Sequence, residues 1–428
     1  MRPARSIKAA ARRAPWFPIA LASTMTGMSN SPLLAQNVRD FMQEGSPYPA
    51  LANPEPSRYN LKWGKLIARF HASATAEFND NINLADHDPE MDLSYGPNFD
   101  VGFLWPITKA NLLQLDIGVG YRWYLDHPSI QTVNVAPNSH VDYRVFFDHG
   151  QLNFHDNFSV QVDPTSRLDV SGSSSGDDVS NFRRINNAAG LTAEWRPVRE
   201  WSLVSSYDFV LDRSLSGEFT SIDRDDHAFT ASAYYDFSPR LTAGLSGSCT
   251  LTYYQENVQN DAISYSLGPV LILKPTQFIT IDARAGYSIS TFDSTGTIND
   301  SSDFRGITGQ VGVRHALNRW VTHDLRFSKG RDLGYGSNFY DVLGVQYSVS
   351  ARLHRNLTLD AKLRYEHFRA SGSTDEVADR YNLLLGPEFQ FARHWRFSAG
   401  YTFNVKESNL PQHDYIQNRL TLGLTRQF

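Results

Sequence analysis

With 428 residues and a formal net charge of −5, the chain is long enough for two or three soluble domains or for one large barrel. The acidic balance argues against nucleic acid as a partner, and the lone Cys249 excludes a disulfide framework and any multi-cysteine metal site. Mean hydropathy is −0.40, and no run in the body of the chain approaches the ~18 apolar residues of a spanning helix, while 20 Tyr and 26 Phe favour strands.

Residues 1–13 carry Arg2, Arg5, Lys8, Arg12 and Arg13 with no acidic residue; an apolar segment from Trp16 to Met28 follows, then SPLLAQ. Basic, apolar, small is the order of a secretory signal peptide, expected here over 1–35 with cleavage after Ala35. A disordered basic arm or an organelle transit peptide shares part of that composition. Residues 36–60 contain Pro47, Pro49, Pro54 and Pro56 without periodicity and read as an extended periplasmic lead-in.

From residue 61 onward the chain alternates apolar and polar residues in segments that predict eighteen strands, from 63–79 through to 414–428. Losing the hairpin 139–148/151–162, whose turn is His149-Gly150, would leave sixteen. Two kinds of connection take turns between the strands. One is short and carries Pro, Asn or a basic residue, as in SPR at 238–240, LNRW at 317–320 and HRN at 354–356; the other is longer and rich in Asp, Ser, Asn and Gly. Short turns on one rim and long loops on the other is the asymmetry of an outer-membrane barrel, and an even strand count places both termini on the short-turn, periplasmic side. Many segments exceed the ~9–11 residues that cross a bilayer when tilted, so hairpins extend past the outer leaflet. The Ser/Gly/Asp-rich stretch 163–181 reads as a mobile external loop, with a plug folded into the pore as the alternative.

Parity assigns the faces. In 356–370 Leu357, Leu359, Ala361, Leu363 and Tyr365 point one way; Thr358, Asp360, Lys362, Arg364 and Glu366 point the other. Repeating this across the strands gathers the charges inside, and the candidate pore-lining residues are Asp282, Arg284, Arg314, Arg326, Arg352, Asp360, Lys362, Arg364, Glu366, Glu388 and Arg396. Basic residues on successive strands from Arg284 to Arg396 form either a selectivity stripe or part of a bracing network of ion pairs. Trp105, Trp195, Trp201, Phe237, Trp320 and Trp395 lie beside the short turns, where an interfacial girdle belongs.

The last strand, NRLTLGLTRQF, alternates Leu420, Leu422 and Leu424 with Thr421, Gly423 and Thr425 and stops on Phe428. That ending resembles the C-terminal recognition signal of bacterial outer-membrane barrels, with Arg426 departing from the usual apolar residue. Hairpins such as HRNLTLDAKLRYEHF and SPRLTAGLSGSCTLTYY make residues 60–428 resemble outer-membrane β-barrel porins, specifically the β-barrel porin-2 group, some of whose members are associated with exopolysaccharide export. The resemblance implies an all-β transmembrane antiparallel barrel in a Gram-negative outer membrane. Its expected partners are outer-membrane lipid and lipopolysaccharide, the barrel-assembly machinery through Phe428, a hydrophilic solute or polysaccharide, and a second copy of itself in a homo-oligomer.

No G-x-S-x-G elbow, HExxH helix, phosphate loop or dinucleotide fingerprint is present. His149, His155 and Asp156 could be imagined as a metal or acid–base site, but read more simply as polar residues near a turn and the lumen; no catalytic residue, cofactor or metal is expected. The expected function is passive passage of hydrophilic solutes through a water-filled lumen. The alternatives are a polysaccharide export conduit, for which Tyr124, Tyr234 and Tyr254 are inward aromatic candidates, a barrel enzyme, and a closed structural or adhesive barrel.

Overall fold

The computed structural model describes residues 61–166, 182–372 and 375–428; the expected signal peptide and lead-in lie outside them. The chain forms a single antiparallel sheet closed on itself. In chain order its strands are β1 (Leu61–Trp63), β2 (Leu66–Asn79), β3 (Asp92–Pro106), β4 (Asn111–Tyr124), β5 (Thr132–Val135), β6 (His140–Phe147), β7 (Gly150–Gln161), β8 (Arg184–Trp195), β9 (Trp201–Ser214) and β10 (Arg224–Ser238). Then follow β11 (Leu241–Tyr254), β12 (Ala262–Leu273), β13 (Ile279–Phe292), β14 (Phe304–Ala316), β15 (Val321–Leu333), β16 (Phe339–His354), β17 (Leu357–Ala370), β18 (Val377–Ala392), β19 (Trp395–Ser408) and β20 (Tyr415–Gln427). β1 and β5 are short additions to the rims. The other eighteen form the barrel wall, and β2 closes on β20 from His71↔Gln427 to Asn79↔Arg419.

The hairpin at Asp148-His149 is retained, with β6 paired to β7 from His140↔Asn157 to Phe147↔Gly150, so the count is eighteen and not sixteen. Periodicity missed the two short strands. β1 doubles back on β2 through Gly64, whose φ of +59° suits glycine. β15 runs on to Leu333 because Arg331 and Asp332 continue the pairing with Asp341 and Tyr340.

Side-chain caps fix the short turns. Asn318 Oδ1 accepts the backbone N–H groups of Trp320 (2.7 Å) and Val321 (3.0 Å), and Thr276 Oγ1 accepts those of Phe278 and Ile279, both at 3.2 Å. Burial confirms the two faces. Leu363, Tyr265, Leu267, Ile307, Leu420 and Leu422 are exposed on the outside, while Glu194, Asp208, Glu366, Arg380 and Lys406 are buried on the inside. Of the girdle, Trp105, Trp195, Trp201, Phe237 and Trp320 are exposed at the short-turn rim and Trp395 is half-buried there.

Candidate pore and its constriction

An apolar outer face and a charged inner face on a closed sheet define a transmembrane β-barrel, and its candidate site is the lumen. A small gap lined from several strands lies toward the long-loop side of the lumen and is the candidate constriction. There β17 and β18 present Lys362, Arg364, Glu366, Arg380 and Asn382 on one wall. Glu366 accepts from Arg364 and, on Oε2, from Arg380 Nε (2.9 Å) and Nη2 (2.5 Å). Asn382 Nδ2 donates to Asn404 Oδ1 (2.5 Å), Asn404 to Gln417 (2.9 Å), and Gln417 to the Asn81 carbonyl (2.7 Å).

The segment after β7 crosses to this wall. Asp163 Oδ2 accepts from Arg419 Nη1 at 2.6 Å, although five strand-to-strand steps separate β7 from β20 around the barrel. Asp163 Oδ1 also accepts from the Thr165 hydroxyl (2.6 Å) and backbone N–H (3.1 Å), which shapes the turn. Thr165 thereby faces Lys362, Arg364, Glu366, Arg380, Asn382 and Asn404 across a gap of about 20 Å³, space for a single water. The expected external loop thus begins by folding inward over 163–166; residues 167–181 lie outside the described part. Ser/Gly/Asp composition reports that a segment has no core to join, but not that one aspartate meets a distant arginine.

Above the constriction, loops meet across the mouth. Leu84, Phe182, Phe219, Ile222 and Tyr415 form a buried apolar cluster with Tyr335 packed against it. These residues leave the wall near β2, β8, β9, β15 and β20, so the cluster spans the opening. Arg184 holds the 217–222 turn from below, donating to Asp212 Oδ1 (2.7 Å), Asp223 Oδ1 (2.8 Å) and the carbonyls of Phe219 (2.7 Å) and Ile222 (3.2 Å).

A polar staple fastens the loops of the opposite side. Asp300 Oδ2 accepts from the Asn338 backbone N–H (2.8 Å) and the Ser371 hydroxyl (2.5 Å), and Asn260 reaches both Asn338 Oδ1 and the Asp300 carbonyl at 2.9 Å. Nearby, Glu376 Oε1 accepts from Lys406 Nζ (2.7 Å), Ser408 Oγ (2.9 Å) and His413 Nδ1 (3.1 Å). Burial alone would raise the Glu376 pKa, but its His413, Lys406 and Ser408 partners outweigh that and hold it at about 2. A depressed carboxylate stabilises at pH above its ordinary value near 4.5, and the gain is lost as pH falls toward about 2. The difference corresponds to about 3 kcal/mol. Protection of the 375–376 and 409–414 backbone, taken as exchange relative to the intrinsic rate at each pH, is therefore expected to be high at pH 5 and to fall between pH 4.5 and 2. Glu376→Gln should be weakly protected at every pH.

Among the expected lining residues, Lys362, Arg364 and Glu366 come together at the constriction. The others occupy the half nearer the short turns, where Asp324 takes Arg326 (2.6 Å) and Arg314 (3.6 Å) and Glu388 takes Arg396 (3.2 Å). Asp282, Arg284, Arg352 and Asp360 stand in that same half on β13, β16 and β17. The basic stripe and the bracing network are thus one structure, since much of the stripe is interleaved with carboxylates. Arg380, Asn382, Asn404, Asp163 and Thr165 were not among the candidates; Arg380 shares the inward parity of Glu388 and could have been read from it, whereas Asp163 and Thr165 carry no pattern. His149, His155 and Asp156 do not converge: His155 bonds Asp208 inside (2.7 Å), and Asp156 bonds Asn187 on the other face. Among the described residues no group of three or more His, Cys, Asp or Glu could hold a metal. Tyr234 and Tyr254 sit at opposite ends of neighbouring strands and Tyr124 on another wall, so they build no ladder.

Residues 276–428, about a third of the chain, match the family model described as outer membrane protein beta-barrel domain. The strands before residue 276 continue the same closed sheet. The chain is similar in fold to Pseudomonas aeruginosa OpdL (12% identity, 86% of this chain and 100% of that one, TM-score 0.47) and to OpdK of the same organism, solved with vanillate (13%, 84% and 99%, 0.48). It is likewise similar to Acinetobacter baumannii OccAB4 (12%, 87% and 100%, 0.48). None of the curated proteins searched matches the sequence.

Proposed function

We propose that this chain is an outer-membrane porin that passes small hydrophilic solutes by diffusion through a water-filled lumen, with both termini in the periplasm and no covalent step. The observation that carries the reading is the charged inner face of a closed eighteen-strand wall, since a barrel of that size is wide enough for an aqueous channel. The seated 163–166 segment sets the size limit, and Lys362, Arg364, Arg380 and Glu366 set the local charge. A passage bordered by so tight a gap favours small hydrophilic solutes over an extended polysaccharide.

The test is swelling of proteoliposomes in a series of uncharged sugars of rising size. Swelling with the smallest and none with oligosaccharides is expected; exclusion of every solute by a folded barrel counts against the reading. Charge reversal probes the lining: Arg364→Glu and Arg396→Glu are each expected to move the reversal potential in a salt gradient toward cation preference, more strongly for Arg364 because it borders the candidate constriction. An unmoved potential would remove these residues from the conduction path.

A further inference from the structure

The two rims carry opposite charge. The short turns between the wall strands hold eight Lys or Arg against Asp148 and Glu200, whereas the described long loops, apart from the inward 163–166 segment, hold fifteen Asp or Glu against Arg183. Every short turn except Asp148-His149 contributes a cation. Arg196 is held by Glu194 at 2.6 Å. The others (Lys109, Arg199, Arg240, Lys274, Arg319, Arg355 and Arg393) are exposed and, among the described residues, form no ion pair.

These cations share a level with the exposed aromatic girdle. Arg319 lies over the Trp320 ring at 4.5 Å, and Arg426 lies 5.0 Å from the Phe428 ring and 5.5 Å from the Trp395 ring. Tryptophan at a barrel rim marks headgroup depth, so the anion within reach of this ring is a lipid phosphate. We infer that the short-turn rim is a docking ring for anionic phospholipid headgroups of the adjoining leaflet. The inference rests on the orientation proposed above, which puts that leaflet on the periplasmic side. The ring also supplies an orientation device: the acidic rim is repelled by the surface that attracts the basic one. Each Lys or Arg near an anionic surface adds roughly 1 kcal/mol, about fivefold in partition.

The experiment uses the full barrel in nanodiscs of phosphatidylcholine doped with phosphatidylglycerol, and reads the lipids retained on the protein by native mass spectrometry. Wild type is expected to retain phosphatidylglycerol over phosphatidylcholine by about fivefold or more. The combined variant Arg240→Gln, Lys274→Gln, Arg319→Gln, Arg355→Gln should fall to near parity while keeping the heat-modifiable gel mobility of a folded barrel. Equal retention of both lipids by wild type, or undiminished preference in the variant, overturns the proposal. So does displacement of phosphatidylglycerol by lipopolysaccharide, which would assign the ring to the other leaflet. The variant changes no lumen residue, so a barrel that fails to conduct yet retains phosphatidylglycerol would defeat the pore reading and leave this one standing.

Discussion

Asp163→Ala is expected to widen the passage more than any other single change, giving a clear rise in single-channel conductance. Asp163 is the tie between the inward segment and the far wall, through Arg419 at 2.6 Å, and it also organises the turn that presents Thr165. The Arg419 side chain is 11% exposed, so deleting its partner strands a largely buried cation. Breaking such a pair costs about 3 kcal/mol, taken at the low end because lumen water reaches the site. That is enough to unseat a segment whose described part has few other anchors. Arg419→Ala should raise conductance similarly, and the double variant should add little beyond either single one, the non-additivity of two residues sharing one contact. Conductance equal to wild type in all three would mean that 163–166 does not limit the pore.

Arg184→Leu is expected to open the mouth. Its side chain is 0% exposed and supports two carboxylates and two carbonyls under the 217–222 turn. Leucine keeps some volume but leaves Asp212 to Arg224 at 3.4 Å and Asp223 without this buried partner, a loss of about 3–5 kcal/mol. Phe219 and Ile222 then leave the apolar cluster over the lumen, and with them goes the reason for Leu84, Phe182 and Tyr415 to converge. Limited proteolysis should nick the variant within 215–223 while the barrel remains closed by heat-modifiable mobility. Protease resistance equal to wild type would show that the cap stands without Arg184.

Strand periodicity encodes neither the Asp163–Arg419 tie nor the apolar cluster over the mouth. The wall itself was legible because each strand meets two uniform environments, lipid outside and water inside. Leu363 and Lys362 therefore announce their faces independently of any partner. The short turns were legible for a local reason: Asn318 and Thr276 cap backbone groups two or three residues away. The constriction and the cap depend on contacts between residues far apart in the chain, such as Asp163 with Arg419 or Leu84 with Phe219 and Tyr415. In a polar loop one aspartate looks like another. The apolar members offered a faint clue, since Phe182 and the Phe219–Ile222 pair are large side chains in otherwise hydrophilic connections, and such residues seldom stay in water without a role. Arg380 was legible from the inward parity it shares with Glu388.

The proposed passage of water and small solutes through this lumen has a direct electrical signature. Recording from single refolded barrels in a planar bilayer under a salt gradient tests it directly. Discrete steps of low conductance in wild type, larger in Asp163→Ala and with a reversal potential that Arg364→Glu moves toward cations, are the expected result. A folded barrel that stays electrically silent in wild type and in Asp163→Ala alike would contradict it.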